Sequence, residues 1–476
     1  MTADAKTVQI EITEKGRILS DILGERGVYL DMRCGGRGAC GRCRVKLLGG
    51  EWAENGVKMA VPSDALACRT ILLSEYGTVE VGRGSLLPER DGVLLEEWRT
   101  ARPLPRVPET VVGIDIGTTT IAATALQDGK IVAHCSRFNP QAVFGDNVVS
   151  RISAAKGNLR EMRTLLLDAL REMLSGFPMP SRVAVAANPT MTCIFHGIDP
   201  TPLGSAPFTL PQQSFAPISG ECIGLPNDVP IYTVPLVAGY LGGDVLGGMA
   251  EAQLEAGELF MDLGTNCEMV LRCSDGGAVG TSSAAGPAFE GAGLSCGVRA
   301  VDGAISHFRA DGGYDVIGGG KSIGCCGSAL VDLIAVEYAN GRLSRYGRIQ
   351  PKADCIHVAD GIAVSERDIE TLLKAKAAVF AGVLSLERHC GMQASRLVLA
   401  GGFAQYLDVA NAVRIGMLPQ RGCRVVGNVS LAGALRLAAA PEHADELDGL
   451  RKSIKEIPLN LIPEFQDYFL DGMMLP

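Results

Sequence analysis

The sequence predicts an α/β multidomain chain: a small β-rich module, a linker, and a larger two-lobed α/β unit. Three observations predict it. A cysteine-rich loop, CGGRGACGRC (34–43), lies between strand-like segments near the N-terminus. A stretch rich in proline and mixed charge follows at 86–109 and marks a boundary. Beyond it, two hairpin-like segments of the same spelling recur about 147 residues apart, VVGIDIGTTTIAATAL (111–126) and ELFMDLGTNCEMVL (258–271). The implied division is 1–85, 86–109, a first lobe at 110–254, a second at 255–440, and a C-terminal tail with a helix at 441–476.

The bulk numbers bound the problem. A chain of 476 residues is long enough for about two to four domains. Its 47% hydrophobic and 20% charged residues are ordinary for a globular protein, while 59 glycines promise tight turns and close backbone approaches. A net charge of −9 argues against general nucleic-acid binding. The opening MTADAKTVQIEITEKG has no apolar core of a signal peptide. The most apolar long stretch, TVPLVAGYLGGDVLGGMA, is interrupted by Asp244 and five glycines and does not suit a membrane span. A cytoplasmic protein without membrane contact is expected. Its fifteen cysteines are then not disulfides. Eleven lie in apolar contexts as small buried hydrophobes. Cys34, Cys40, Cys43 and Cys68 stand apart.

In the N-terminal module, VQIEI (8–12) alternates as a strand does, and RILSDILGERGV carries helical apolar spacing through Ile18, Ile22 and Leu23. CRVKLLGG then predicts a strand running into a turn, and TVEV (78–81) another. The cysteines follow C-x5-C-x2-C, then 24 residues, then Cys68. A zinc site usually pairs two short C-x2-C hairpins. Three ligands from one loop and a fourth from afar follow instead the logic of a [2Fe–2S] site of ferredoxin type. The loop is one residue longer than the plant pattern and resembles the adrenodoxin-like variant and ferredoxin domains fused to larger enzymes. Gly35, Gly36, Gly38 and Gly41 let it wrap closely and aim N–H groups at sulfides. Zinc and plain thiols are the alternatives. A plant-type cluster lies near about −400 mV, so the module is an electron port at low potential.

In the larger unit, Asp115 ends a strand, and Gly117 with Thr118, Thr119 and Thr120 forms a turn whose N–H groups and hydroxyls suit phosphate; a Thr-rich hairpin without a ligand is the plainer alternative. Asp262, Gly264, Thr265 and Asn266 repeat Asp115, Gly117, Thr118 and Thr119 in type, which suggests a duplicated fold gripping a phosphate chain from both sides. SRLVLAGGFAQYLDVANAVRIG (395–416) predicts a strand, Gly401-Gly402, then a helix, with backbone close to a ligand. Asp244 and Asn188 are weaker candidates, equally suited to turns or caps. GGGKS (318–322) fails as a P-loop because its first required glycine is Asp315. It predicts a glycine loop leading to an amphipathic helix, CCGSALVDLIAVEYA, with Cys325 and Cys326 as packing residues. The six histidines form no constellation in sequence. Phe465, Phe469 and Met473 share one face of a final helix that docks on the core.

The ordered trio D-x-G-T-T-T, D-L-G-T-N and A-G-G-F resembles the phosphate-1, phosphate-2 and adenosine motifs of the actin/Hsp70/sugar-kinase (ASKHA) superfamily. That resemblance implies two actin-like α/β lobes closing on Mg-ATP. Asp115 and Asp262 would orient Mg2+-bound and attacking water, the Thr and Gly residues would cradle phosphates, and Gly401, Gly402 and Phe403 would border the nucleoside. The metal and donors must neutralise charge on the γ-phosphate. Pushing one electron uphill by 100 mV costs roughly 2.3 kcal/mol, so an electron port fused to an ATP cleft suggests uphill or gated transfer.

The combination resembles the reductive activators of corrinoid proteins, the RACo-like family, in domain order and in the blocks AANPTMTCIFHGIDP (186–200), GPAFEGAGLSCGVRA (286–300) and IPEFQDYF…MMLP. The resemblance implies ATP-dependent one-electron reduction of inactive Co(II) to Co(I) in a methyltransferase system. The corrinoid itself belongs to a partner: none of the six histidines sits in D-x-H-x-x-G, the motif of a corrinoid carrier with a histidine lower ligand. The electron donor would be a low-potential ferredoxin or flavodoxin, and a homodimer is allowed. The rival readings are an activator of the 2-hydroxyacyl-CoA dehydratase kind, a redox-regulated sugar kinase, and an ATP-dependent scaffold.

Overall fold

The computed structural model describes residues 8–26, 28, 30, 32, 38, 41–82, 102–103, 105–291 and 293–476. Cys34 and Cys40, with most of the linker, lie outside the described residues. In the N-terminal module the expected strands form. Val8–Ile12, Gly77–Val81, Arg44–Gly49 and Ser63–Leu66 make a four-stranded sheet in that order, every pair antiparallel. A three-stranded sheet of Val57–Lys58, Trp52–Glu54 and Thr70–Leu72 and the helix Leu19–Glu25 complete it. The core centres on Trp52, fully buried with its Nε1 donating to the Gly49 carbonyl at 2.7 Å, which removes the cost of burying the indole N–H. Gly77 leaves room for that ring: a Cβ there would lie 2.4 Å from it.

The larger unit carries two six-stranded sheets of one plan. In the first, Lys130–Phe138, Thr120–Gln127 and Val111–Ile116 form an antiparallel meander, continued in parallel by Arg182–Ala187 and Pro230–Thr233, with Ile218–Ser219 at the edge. In the second, Ala278–Ser283, Cys267–Arg272 and Glu258–Leu263 form the meander, and Arg396–Ala400 and Gly422–Gly427 continue it in parallel. The repeated hairpin motif is thus the visible part of a repeated sheet. Asp115 and Asp262 occupy the same place, one residue before the end of each central strand.

Two helices join the halves by exchange. Val429–Ala439, which follows the second sheet's edge strand, packs on Val111–Ile116 of the first sheet. Gly113 permits this, since a Cβ there would lie 2.7 Å from the Leu435 nitrogen. Gly243–Ala252 packs against the same helix, backbone to backbone: a Cβ on Gly433 would fall 2.6 Å from Gly247 main-chain atoms. One apolar cluster therefore takes residues from both sheets, among them Val111, Ala184, Phe260 and Val398.

Three local expectations change. The helix Gly327–Ala339 is not amphipathic; every residue from Gly327 to Glu337 is buried. Asp332 is satisfied inside, accepting from Asn411 Nδ2 at 2.8 Å and pairing with His307, while Glu337 forms an ion pair at 2.9 Å with the exposed Arg342. The segment after Gly401-Gly402 forms two short helices, Gly402–Gln405 and Val409–Arg414, because Asp408 caps the second by accepting from Asn411 N. Of the eleven scattered cysteines, Cys193, Cys267, Cys296, Cys325 and Cys326 are buried, whereas six are half-buried. Cys135 and Cys423 lie on outer strands of the two meander sheets, and Cys390 ends a helix, so each keeps one side toward solvent. Among the described residues, no disulfide joins one cysteine to another.

The segment 441–476 is woven into the second sheet: Ile454–Glu456 pairs in parallel with Ala278–Ser283. The final helix Phe465–Gly472 lies along Glu366–Cys390, with Phe465 against the core and Gly472 buried. Among the described residues, no helix is long and apolar enough to cross a membrane.

Candidate nucleotide and cluster sites

Strand pairing brings two of the four singled-out cysteines together. The ladder that pairs Arg44 with Leu66 extends one step, with Ala67 N donating to the Cys43 carbonyl at 3.0 Å. Cys43, just before one strand, and Cys68, just after the other, therefore meet at one end of the sheet. Their exposures are 0% and 8%, so both thiols face away from bulk water. Gly38 and Gly41 both have φ +67°, and a Cβ on Gly38 would overlap Arg69, beside Cys68. At both positions the positive φ favours glycine. A pair of sheltered sulfurs fits a thiolate-held [2Fe–2S] cluster. Arg42, next to Cys43, donates to the Gly297 carbonyl in the second lobe.

A cavity of about 370 Å3 lies between the two sheets. It is lined by Asp115, Gly117, Thr118, Thr119 and Thr120 from the first hairpin and by Asp262, Gly264, Thr265 and Asn266 from the second. Gly401, Gly402, Phe403, Asp244 and Asn188 line it too, so the described candidates for a nucleotide meet in one place. Both turns are held alike: Gly117 N donates to the Thr120 carbonyl and Gly264 N to the Asn266 carbonyl, each at 2.9 Å. Gly401, at φ +92°, leaves its α-carbon against Asp262, where a Cβ would lie 2.5 Å from Oδ1. Asn188 does two jobs. It caps the helix Pro189–His196 by accepting from Met191 N, and its amide donates to Thr118 Oγ1 at 3.0 Å.

Five carboxylates line this cavity, Glu290 and a group of four, Asp115, Asp244, Asp262 and Glu268. Asp115 accepts from Ser430 Oγ at 2.9 Å and Asn428 Nδ2 at 3.0 Å. Asp244 sits in the first turn of Gly243–Ala252. Asp262 pairs across the ladder with Glu268, which places both side chains on one face. Burial pushes Asp244 up to about 8, with Asp262 adding repulsion, and pushes Asp262 up to about 7, with Asp115 adding. Asp115 is raised by burial against its two hydrogen bonds, and Glu268 is raised well above the usual range. Packed carboxylates of this kind are the donor set of a hard divalent cation. Cation binding must expel their protons, so Mg2+–nucleotide affinity is expected to rise from pH 6 to pH 8. Calorimetry in two buffers of different ionisation enthalpy should register proton release at pH 7; a pH-independent affinity with no release would contradict this.

Positive charge comes from behind. Arg151 is fully buried, and its guanidinium donates to the Thr118 carbonyl and, at 3.0 Å, to the Gly145 carbonyl. Arg299 lies 4.4 Å over the Phe138 ring and lines the cavity. An arginine does not lose its proton in a protein, so both oppose phosphate charge. Phe289 stacks on Phe403 at 4.9 Å and 17°, an aromatic wall of the cavity beside Gly401 and Gly402.

Sequence reasoning missed several of these groups. Glu268 stands two residues past Asn266 in the same hairpin, and strand alternation places it beside Asp262. Glu290, Arg299, Asn428 and Ser430 carry no local signal. His307 also reaches the cavity, its Nδ1 3.0 Å from Asp332 Oδ2, a bond that raises its pKa. The histidines make no cluster in sequence, but this one has a partner in space.

Two lobes of one sheet plan around a carboxylate-lined cleft, joined to a cysteine-loop domain, define an ASKHA-type ATPase bearing a ferredoxin-type domain. Three family profiles match: a 2Fe-2S iron-sulfur cluster binding domain at 1–73, the RACo middle region at 110–257, and the C-terminal domain of RACo, the ASKHA domain, at 256–476. The corrinoid activation enzyme RamQ of Eubacterium limosum is 29% identical over 418 residues, covering 76% of this chain and 70% of that protein. A [Co(II) methylated amine-specific corrinoid protein] reductase of Methanosarcina barkeri is 27% identical over 261 residues, 48% of each chain. The solved structure of a reductive activator for corrinoid, iron-sulfur protein superposes with a TM-score of 0.70 at 26% identity, covering 98% of this chain and 96% of that one. The chain belongs to the RACo family, the reductive activators of corrinoid proteins.

Proposed function

We propose that this protein is an ATP-hydrolysing reductive activase. It passes one electron to the inactive Co(II) form of a corrinoid protein in a methyltransferase system and so restores Co(I). The observation that carries the reading is the union in one chain of the sheltered cysteines and the carboxylate-lined cleft, with Arg42 of the cysteine loop seated on the second lobe. Cys34, Cys40, Cys43 and Cys68 hold the cluster. When bound, a [2Fe–2S] cluster supplies one-electron transfer at a potential near about −400 mV. Asp115, Asp262 and Asp244 hold Mg2+ and orient water. Thr118, Thr119, Thr120, Thr265 and Asn266 donate to phosphate oxygens, with Gly117 and Gly264 shaping the turns. Gly401, Gly402 and Phe403 border the nucleoside. Arg151 and Arg299 oppose the charge that grows on the phosphate in the transition state.

The donor is a low-potential ferredoxin or flavodoxin, the compartment is the cytoplasm, and two chains can associate as a homodimer. The reading is tested by mixing the cluster-loaded protein, a reductant and a corrinoid protein, and following Co(I) by its visible spectrum. Co(I) should form only with Mg-ATP; equal formation without ATP would overturn the coupling. Stimulation of ATP hydrolysis by sugars rather than by the corrinoid protein would favour a kinase.

A further inference from the structure

A carboxylate occupies the phosphate-loop hydroxyls. Glu290 Oε2 accepts from Thr119 Oγ1 at 2.6 Å, and its Oε1 accepts from Thr265 Oγ1 at 3.0 Å. One side chain thus ties the first hairpin to the second across the cleft. It belongs to neither hairpin, but to the short turn Pro287–Glu290 in the block 286–300.

The same block seats the cysteine loop. Gly291 and Gly297 press main chain on main chain. A Cβ on Gly297 would lie 2.2 Å from the Gly291 oxygen, and one on Gly291 would lie 2.2 Å from the Val298 oxygen. Gly297 in turn accepts from Arg42, the neighbour of Cys43. Gly291 and Gly297 meet main chain to main chain, so a displacement of Glu290 is passed to the Arg42 contact through that backbone contact. A second seat lies on the first lobe. Val143 packs against the core of the cysteine module, and its turn is tied to the phosphate loop: Asn139 N donates to the Thr119 carbonyl at 2.8 Å and Asn139 Nδ2 to the Gly117 carbonyl at 2.9 Å. The cysteine module therefore rests on both lobes, and each seat is a few bonds from a phosphate loop.

We propose that Glu290 is a positioning residue that makes docking of the cysteine module depend on the nucleotide: phosphate takes the Thr119 and Thr265 hydroxyls, Glu290 leaves, and the Gly297 seat releases Arg42. The inference rests on the ATP-site reading above and adds the path by which that site acts. Two anions cannot share the same donors, and the phosphate brings the larger charge and a cation with it. The seat is held in the empty state and given up in the loaded one, which makes the module available to a partner only after ATP has bound. The requirement of a two-state element biased by a ligand is met by the clasp and the lobes it joins.

The test uses the full-length, cluster-loaded protein, Mg2+ with a non-hydrolysable ATP analogue, and amide hydrogen exchange over 41–49 and 291–299. Wild type should exchange faster in both segments on binding, by about fivefold or more. Glu290→Ala should exchange fast in both segments without nucleotide, should not respond to it, and should bind the analogue more tightly because nothing competes with phosphate. Arg42→Ala should loosen 41–49 without nucleotide and, since that contact holds the empty state, should bind the analogue somewhat more tightly than wild type. If Glu290→Ala melts at markedly lower temperature, Glu290→Gln serves in its place, with one acceptor oxygen left and the same direction at smaller amplitude. Unchanged nucleotide response in the Glu290 variants, or analogue binding by wild type with no change in either segment, overturns the path while leaving the ATP site intact. Failure of wild type to bind the analogue at all overturns the ATP-site reading, and this inference with it.

Discussion

Asp262→Asn is expected to lower ATP-dependent Co(I) formation by about 100-fold or more, the scale on which a preorganised charge-stabilising group contributes, while raising the melting temperature of the nucleotide-free protein. The two effects have one cause. Asp262 faces Glu268 across the ladder and lies near Asp115 and Asp244 in a buried cleft. Without a cation, ionising it costs free energy, which is why its pKa is pushed to about 7. An acid whose pKa is raised on folding binds more protons in the native state than in the unfolded chain. Its penalty is absent at low pH, grows as pH rises above the unfolded value, and is complete above about 7. Asparagine keeps the shape and removes the charge. The gain in melting temperature should therefore be near zero at pH 4 and largest at pH 8. Mg-ATP should narrow the gap, because only the wild type supplies the full charge to the cation. Thermal scans at several pH values, with Co(I) measured in parallel, check both halves. A variant with normal Co(I) yield would remove Asp262 from the site.

Cys43→Ser should abolish Co(I) formation outright and leave analogue binding unchanged. Cys43 has no exposed surface and belongs to the end of the sheet where Cys68 also lies, so no neighbouring side chain can replace it without disturbing the core. The cleft lies in the larger unit and, among the described residues, shares no lining residue with the cysteine module. Visible absorbance of the cluster and calorimetric binding of the analogue separate the two losses. Retained ATP-dependent Co(I) in this variant would exclude Cys43 as a ligand.

The parts of the site that lie within one contiguous stretch are legible in the amino-acid sequence. Asp115 through Thr120 and Asp262 through Asn266 each sit on one hairpin, where strand alternation and a glycine turn fix the geometry locally. Cys68 is singled out in the sequence as the next cysteine after Cys43 within the same module. Glu268 is within reach of the same alternation rule, six residues after Asp262 across the turn. Glu290, Asn428 and Ser430 are not, because each arrives from another element and its partners are set by how two sheets pack. The helix from Gly327 misleads for a related reason: its charged residues suggest a wet face, but Asp332 is satisfied inside by residues remote in sequence, and Glu337 is buried and paired with Arg342.

The meeting of Cys43 and Cys68 at one end of a strand ladder has a consequence for biogenesis. The cysteine loop alone can offer three sulfurs, but the fourth is delivered by the pairing of Arg44–Gly49 with Ser63–Leu66. On the proposed ligand set, all four sulfurs are in place only once that pairing has formed, and a bound cluster would stabilise the paired form in turn. On that ligand set, maturation is expected to be ordered: the chain zips first, and iron is retained by copies that have folded.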